Sequence, residues 1–91
     1  MRFEWDAEKA ASNLAKHGVS LEEAVTVFGD PLATTTLDPD HSVDEERWLT
    51  TGHTDRGHLI VVSHTNRGAV VRVIGARPAT PNERRIYESG E

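Results

Sequence analysis

No cysteine occurs in the 91 residues of the chain. Disulfide staples, thiolate nucleophiles and Cys-type zinc sites are excluded together, which leaves His and carboxylates as the available metal ligands. No apolar run approaches the ~18 residues that a membrane-spanning helix needs. The opening Met1-Arg2-Phe3-Glu4-Trp5-Asp6 has neither the apolar stretch nor the small-residue cleavage site of a secretory signal, so a cytoplasmic protein is expected. A GxSxG elbow, a P-loop and a GxGxxG turn are also missing, and acyl transfer, NTP hydrolysis and dinucleotide redox go without support. There is no internal repeat, low-complexity tract or linker. What remains, at 36% hydrophobic and 27% charged residues, is the composition of an ordinary globular domain. Residues 1–91 form one domain, able to bury roughly 60 to 65% of its unfolded surface.

The formal net charge of −5 hides an asymmetry. Residues 1–46 hold eleven acids against Arg2, Lys9 and Lys16, whereas residues 47–91 hold seven Arg against Asp55, Glu83, Glu88 and Glu91. The overall balance argues against binding nucleic acid with the whole surface, which needs clustered cations. The second half has no Lys, and Arg alone favours planar, bidentate recognition of phosphate or carboxylate. Ordinary ion pairs with the acidic half are the plain alternative.

Asp6 is a good N-cap for a helix over Ala7 to His17, closed by Gly18. Ser20-Leu21-Glu22-Glu23 is a capping box for a second helix through Phe28, stopped by Gly29-Asp30-Pro31. The β-branched run from Ala33 to Leu37 then reads as a strand, and a polar loop follows Asp38-Pro39-Asp40. Further strands are expected over about 47–53, 58–64 and 69–76, joined by Asp55-Arg56-Gly57 and Asn66-Arg67-Gly68 as antiparallel hairpins. Leu59 to Val62 reads as core rather than interface. Thr80-Pro81-Asn82-Glu83 opens a C-terminal helix. The fold class is therefore α+β: two N-terminal helices, a four-stranded antiparallel sheet with one face partly open, and a final helix. On strict alternation Arg72 and Arg77 take opposite faces, and a bulge at Gly75 would bring them to one side.

The five histidines form no HxH or HxxxH pair, so no metal site is expected. Lys16-His17 at a helix C-terminus suits the helix dipole. Arg67, Arg72, Arg77 and Arg84 or Arg85 converge at one sheet edge if the hairpins close as expected. Such a cluster wants an anion. If the anion is an RNA phosphodiester, cleavage without metal needs a base for the 2′-hydroxyl, an acid for the leaving 5′-oxygen and cations for the phosphorane charge. Arg72 and Arg77 are candidates for the cations and His64 or Glu46 for the base. Tyr87 or a histidine is a candidate acid or stacking platform.

Several segments taken together resemble one family across essentially the whole chain. They are Phe3-Glu4-Trp5-Asp6, Lys9, Asn13, Lys16-His17-Gly18-Val19, Phe28 with Asp30-Pro31, and His41-Ser42 with Glu45-Glu46-Arg47. Val61-Val62 with Thr65, Arg67-Gly68, Val71-Arg72-Val73-Ile74, Ala76-Arg77, Ala79-Thr80, Glu83-Arg84-Arg85 and Tyr87-Glu88 complete the pattern. The pattern is similar to that of BrnT toxins. The resemblance implies a RelE-like ribonuclease toxin of a type II toxin-antitoxin pair that inhibits translation by cleaving RNA, needs no cofactor and is neutralised by a BrnA-like antitoxin. It implies Arg72, Arg77 and Tyr87 as catalytic residues; His64 and Glu46 join them from the chemical reading, and Lys16, Arg47, Arg67 and Arg84 are the expected RNA contacts. Operator DNA would be reached only through the antitoxin, whose basic segments the acidic half would attract. No membrane partner is implied. Gly52-His53-Thr54 and Ile74-Gly75-Ala76 depart from the family pattern, in which a serine is expected after the first glycine and at Gly75. A non-catalytic module that binds an acidic or RNA partner is the main alternative. A hydrolase with a His-carboxylate metal site is a weaker one.

Overall fold

A computed structural model describes residues 1–90. Helix α1 spans Ala7–His17, with the Asp6 carboxylate accepting from the backbone N–H groups of Glu8 and Lys9 at 2.8 and 3.1 Å. Gly18 ends it in the left-handed conformation, φ 71°. Helix α2 is shorter than expected, Leu21–Ala24, and tightens into a 3-10 turn over Val25–Gly29. The β-branched run Val25-Thr26-Val27 explains the change, because it crowds the helical backbone and the Thr26 hydroxyl bonds back to the Glu23 carbonyl at 2.6 Å. Helix α3, Pro81–Ser89, carries the complete capping box of Thr80 and Glu83.

The sheet corrects the expected four-stranded, purely antiparallel, RelE-like arrangement. It has five strands in the order β1-β5-β4-β3-β2. The four expected strands are present as β2 (Thr34–Leu37), β3 (Trp48–His53), β4 (Leu59–Arg67) and β5 (Val70–Pro78). The added strand β1, Arg2–Glu4, pairs with β5 in parallel and makes the sheet mixed. Three residues are too few to show alternation, so only the tertiary pairing reveals this strand.

One face of the sheet packs under α2 and the 3-10 turn, where Leu21, Val27, Ile60, Val62, Val73 and Ala76 form the center of the core. The whole of Leu59 to Val62 is buried. The opposite face is covered only at one end, by α3. Between β4 and β5 the register slips: Ser63 faces Gly75 but His64 faces Val73, leaving Ile74 as an extra residue. This bulge sets Arg72, opposite Thr65, and Arg77, opposite Val61, on the same open face.

β1 covers only the first residues of the β5 edge, and Asn13 of α1 completes the cover. Its side chain accepts from the Ala76 N–H at 3.0 Å and donates to the carbonyls of Ala76 and Val19 at 2.9 and 3.0 Å. Asn13 thus substitutes for a missing strand residue and fixes the end of α1 against the bulge. A Cβ on Gly75 would stand 3.1 Å from its Oδ1, so glycine there permits the approach. Asn13→Ala would leave both Ala76 backbone groups without partners and is expected to lower unfolding stability by about 2 kcal/mol, read from urea denaturation.

Candidate active site

Because Asn13 holds α1 over the bulge, the last turn of the helix reaches around the sheet edge to the open face. There His17, Leu49, Ser63, Gly75 and Arg77 line a cavity of about 190 Å³. Lys16 is exposed beside it and has no ion pair among the described residues. Arg77 donates from its two terminal nitrogens to the two Glu83 carboxylate oxygens at 2.7 and 2.9 Å. The Arg77 hydrogen bond pulls the Glu83 carboxyl down to about 2, against a smaller opposing effect of burial. Arg77 Nη1 also donates to the Pro78 carbonyl at 3.3 Å, so the Nε proton and one Nη2 proton are left for an anion.

A second cavity of about 170 Å³ adjoins the first, sharing Leu49 and Val61, and runs beneath Ile86 and Tyr87 of α3. The Tyr87 hydroxyl closes its far side by donating to Asp30 Oδ2 at 2.6 Å, 3.1 Å from His53 Nδ1. Asp30 also accepts from the His53 backbone N–H at 2.8 Å. The bond to Asp30 pushes the Tyr87 phenol up to about 12 and holds the carboxyl of Asp30 below its ordinary range. Tyr87 therefore stays protonated and serves as a strut between α3 and the body. A Cβ on Gly52 would meet Ala33 Cβ at 3.0 Å and the Asp30 carboxylate at 3.2 Å, which explains glycine behind this seat.

The other expected site residues scatter. His64 is not on the open face: it is buried on the core side, its ring edge against Phe28, bonded through Nε2 to the Thr50 hydroxyl at 2.8 Å and through Nδ1 to Asn66 at 3.1 Å. Its alternation with Ser63 decides this, and burial lowers its pKa and keeps it neutral. Glu46 is exposed in the loop before β3, outside the residues that line the cavity. Arg47 anchors that loop through its backbone, which donates to Ser42 and accepts from Asp38. Arg67 pairs with Glu45 at 2.9 Å, Arg72 with Glu4 at 3.3 Å and Arg84 with Glu88 at 3.9 Å. So the Arg residues lie along the face and α3 rather than at one point, Arg72 about 13 Å from Arg77 by strand rise. His53 and His58 do not face each other across their hairpin, because His58 turns to Glu23 at 2.7 Å. Among the described residues no three His, Asp or Glu side chains are grouped to hold a metal ion.

Sequence reasoning missed His17, Ser63 and Glu83 as members of the cleft. His17 carried a signal, since it ends a helix whose Asn13 lies one turn earlier, but the helix dipole explained the residue without a site. Glu83 was legible as a cap only.

Acid should loosen the cleft. With its folded pKa near 2 against an ordinary 4.5, Glu83 contributes stability that is full above pH 4.5 and is lost as pH falls towards 2. Half-exposed neighbours screen the pair, so the contribution is about 1 kcal/mol. His64 adds an earlier loss below pH ~6.5, where the unfolded chain takes up a proton that the folded one resists. Unfolding free energy measured from pH 7 to 3 should fall in both regions, and Glu83→Gln should make the lower fall smaller, the rest coming from carboxylates such as Asp30 and Glu23 that are also held below their ordinary range.

The fold is one already seen in a toxin. The crystal structure of the Brucella abortus ribonuclease toxin BrnT superposes with a TM-score of 0.64, covering 88% of this chain and 97% of that one at 23% sequence identity. The family model described as "Ribonuclease toxin, BrnT, of type II toxin-antitoxin system" matches residues 5–83, and the chain belongs to that family. None of the curated proteins matches it. Among the described residues no helix is long and apolar enough to cross a membrane.

Proposed function

We propose that the chain is a metal-independent endoribonuclease toxin that acts in the cytoplasm and whose reaction center is the cleft between α1 and β5. The observation that carries this reading is that His17 and Arg77, from opposite ends of the chain, line one cavity on the open sheet face. An RNA strand laid along that face meets Arg77 at the scissile phosphate and Arg72 about 13 Å away at another. His17 takes the proton of the 2′-hydroxyl, the 2′-oxygen attacks phosphorus, and the P–O5′ bond breaks with the 5′-oxygen taking a proton from solvent water, leaving a 2′,3′-cyclic phosphate and a 5′-hydroxyl. Arg77 stabilises the charge that builds on the phosphorane, and Lys16 holds the strand at the rim. In this reading His17 takes the part expected of His64 or Glu46, and Tyr87 positions α3 and with it Glu83 and Arg77. Arg47, Arg67 and Arg84 contribute longer-range attraction only. No cofactor enters the scheme. Its antagonist is a BrnA-like antitoxin, and any operator DNA is met through that partner.

The test is incubation of the purified protein with a long single-stranded RNA, with and without EDTA, together with growth of cells after induced expression. Cleavage that EDTA leaves intact, ending in cyclic phosphate, supports the proposal. Cleavage lost in EDTA and restored by a divalent cation overturns its metal-independent part. The ion pairing of Arg67, Arg72, Arg77 and Arg84 within the chain favours one second reading, a module that binds without turnover. Tight RNA binding with neither cleavage nor growth arrest would establish it.

A further inference from the structure

The two edges of the sheet are treated differently. The β5 edge is closed by β1 and Asn13, while β2 ends the sheet with no strand beyond it among the described residues. Asp38 N–H donates to the Arg47 carbonyl at 2.8 Å, and with Thr36 opposite Leu49 and Thr34 opposite Thr51 this fixes the ladder. The backbone groups of Thr34 and Thr36 turn inward to β3, and those of Thr35 and Leu37 turn outward. The edge Thr34-Thr35-Thr36-Leu37 is exposed along its length and has none of the charges, prolines or bulges that normally blunt a free strand.

Each face beside this edge is hollow. On the open face Thr34 and Thr36 line the cavity under Ile86 and Tyr87, which continues into the cleft through Leu49 and Val61. On the other face Thr35 lines a cavity of about 500 Å³ with Phe28, His64, Asn66 and Val71. A strand laid against β2 would place its alternate side chains in these two hollows.

Charge chooses the occupant. Residues 30–46 hold Asp30, Asp38, Asp40, Asp44, Glu45 and Glu46 with no Lys or Arg. Antiparallel pairing of two copies through β2 would bring these acidic flanks together, so a second copy is disfavoured. We propose that the β2 edge receives an extended segment of the protein antitoxin as a sixth strand, with apolar side chains alternating into the two hollows and Lys or Arg at its flanks. This rests on the reading that a protein partner neutralises the chain. It also deepens that reading: the segment's side chains under α3 would abut the cleft and obstruct it.

The test uses the full chain and the protein encoded beside it, with affinity from calorimetry and backbone amide exchange. In the complex the Thr35 and Leu37 amides, free in the chain alone, should exchange at least tenfold more slowly. Thr35→Pro, which deletes an outward N–H together with the hydroxyl, should weaken binding at least tenfold at a melting temperature matching that of Thr35→Val, and its toxicity should escape rescue by the partner. Thr35→Val loses the hydroxyl bond to Thr50 but keeps the N–H, and should bind as the parent does. Thr36→Arg, which fills the hollow without touching the backbone, should also weaken binding. If the partner binds the parent, yet Thr35→Pro and Thr36→Arg bind equally well and the two amides are unprotected, the edge proposal is overturned and the antitoxin reading stands. If the partner does not bind the parent, the antitoxin reading fails and takes this proposal with it. If the chain alone dimerises and Thr35→Pro makes it monomeric, the occupant is a second copy and the proposal is again overturned.

Discussion

Arg77→Ala should reduce RNA cleavage by about 10²- to 10³-fold, the usual effect of removing one charged donor from a site where negative charge develops. The substitution also strands the Glu83 carboxylate, which is only 27% exposed and pairs with Arg77 through both oxygens. Some of the loss in the single variant would therefore come from a displaced α3. Pairing Arg77→Ala with Glu83→Gln removes that charge, and the double variant should remain as inactive as the single one while recovering stability. Arg77→Lys keeps a cation without the bidentate geometry and should fall between. Single-turnover cleavage rates beside melting temperatures decide the matter. Full activity in the double variant would move the reaction center off the last strand.

The second large effect concerns His17. Proton transfer by a positioned side chain contributes about 10²- to 10⁴-fold, and His17→Ala should lose a factor in that range. His17 is only partly buried at the end of α1 and its side chain makes no hydrogen bond among the described residues, so the helix should survive the change. A merely structural role would leave the pH dependence of the rate alone. A proton-transfer role predicts that the limb of the profile set by an imidazole disappears. His64→Gln is the contrasting variant. His64 lies in the core and bonds to Thr50 and Asn66, so its loss should lower stability while the shape of the pH profile persists. The reverse pattern would return the base to His64.

The scatter of the expected site follows from how strands encode position. Ser63 and His64 are neighbours in sequence and lie on opposite faces, so a histidine one place away from the open face is fully removed from it. The bulge at Ile74-Gly75 is the opposite case. Glycine in a strand hinted at it, and the register slip then put Arg72 and Arg77 on one side. The Arg-to-acid pairing was foreseen as a class, but its partners were not. Arg67 and Arg72 reach the acidic half at Glu45 and Glu4, whereas Arg77 of β5 and Arg84 of α3 both find their acids on α3, at Glu83 and Glu88.

Local signals determined the parts. Caps at Asp6, Ser20 and Thr80, glycine at the turns and the β-branched run of the Thr strand act over a few residues, and their elements appear where those signals stand. The segments resembling a BrnT toxin are also local strings, which is why the family was legible before any geometry. Tertiary structure alone decided the parallel pairing of Phe3 with Val71, the Asn13 clasp on Ala76 across 63 residues and the meeting of His17 with Arg77. Those contacts join distant segments, and their free energy comes from closing the core around them, for which no short stretch of sequence holds a signature.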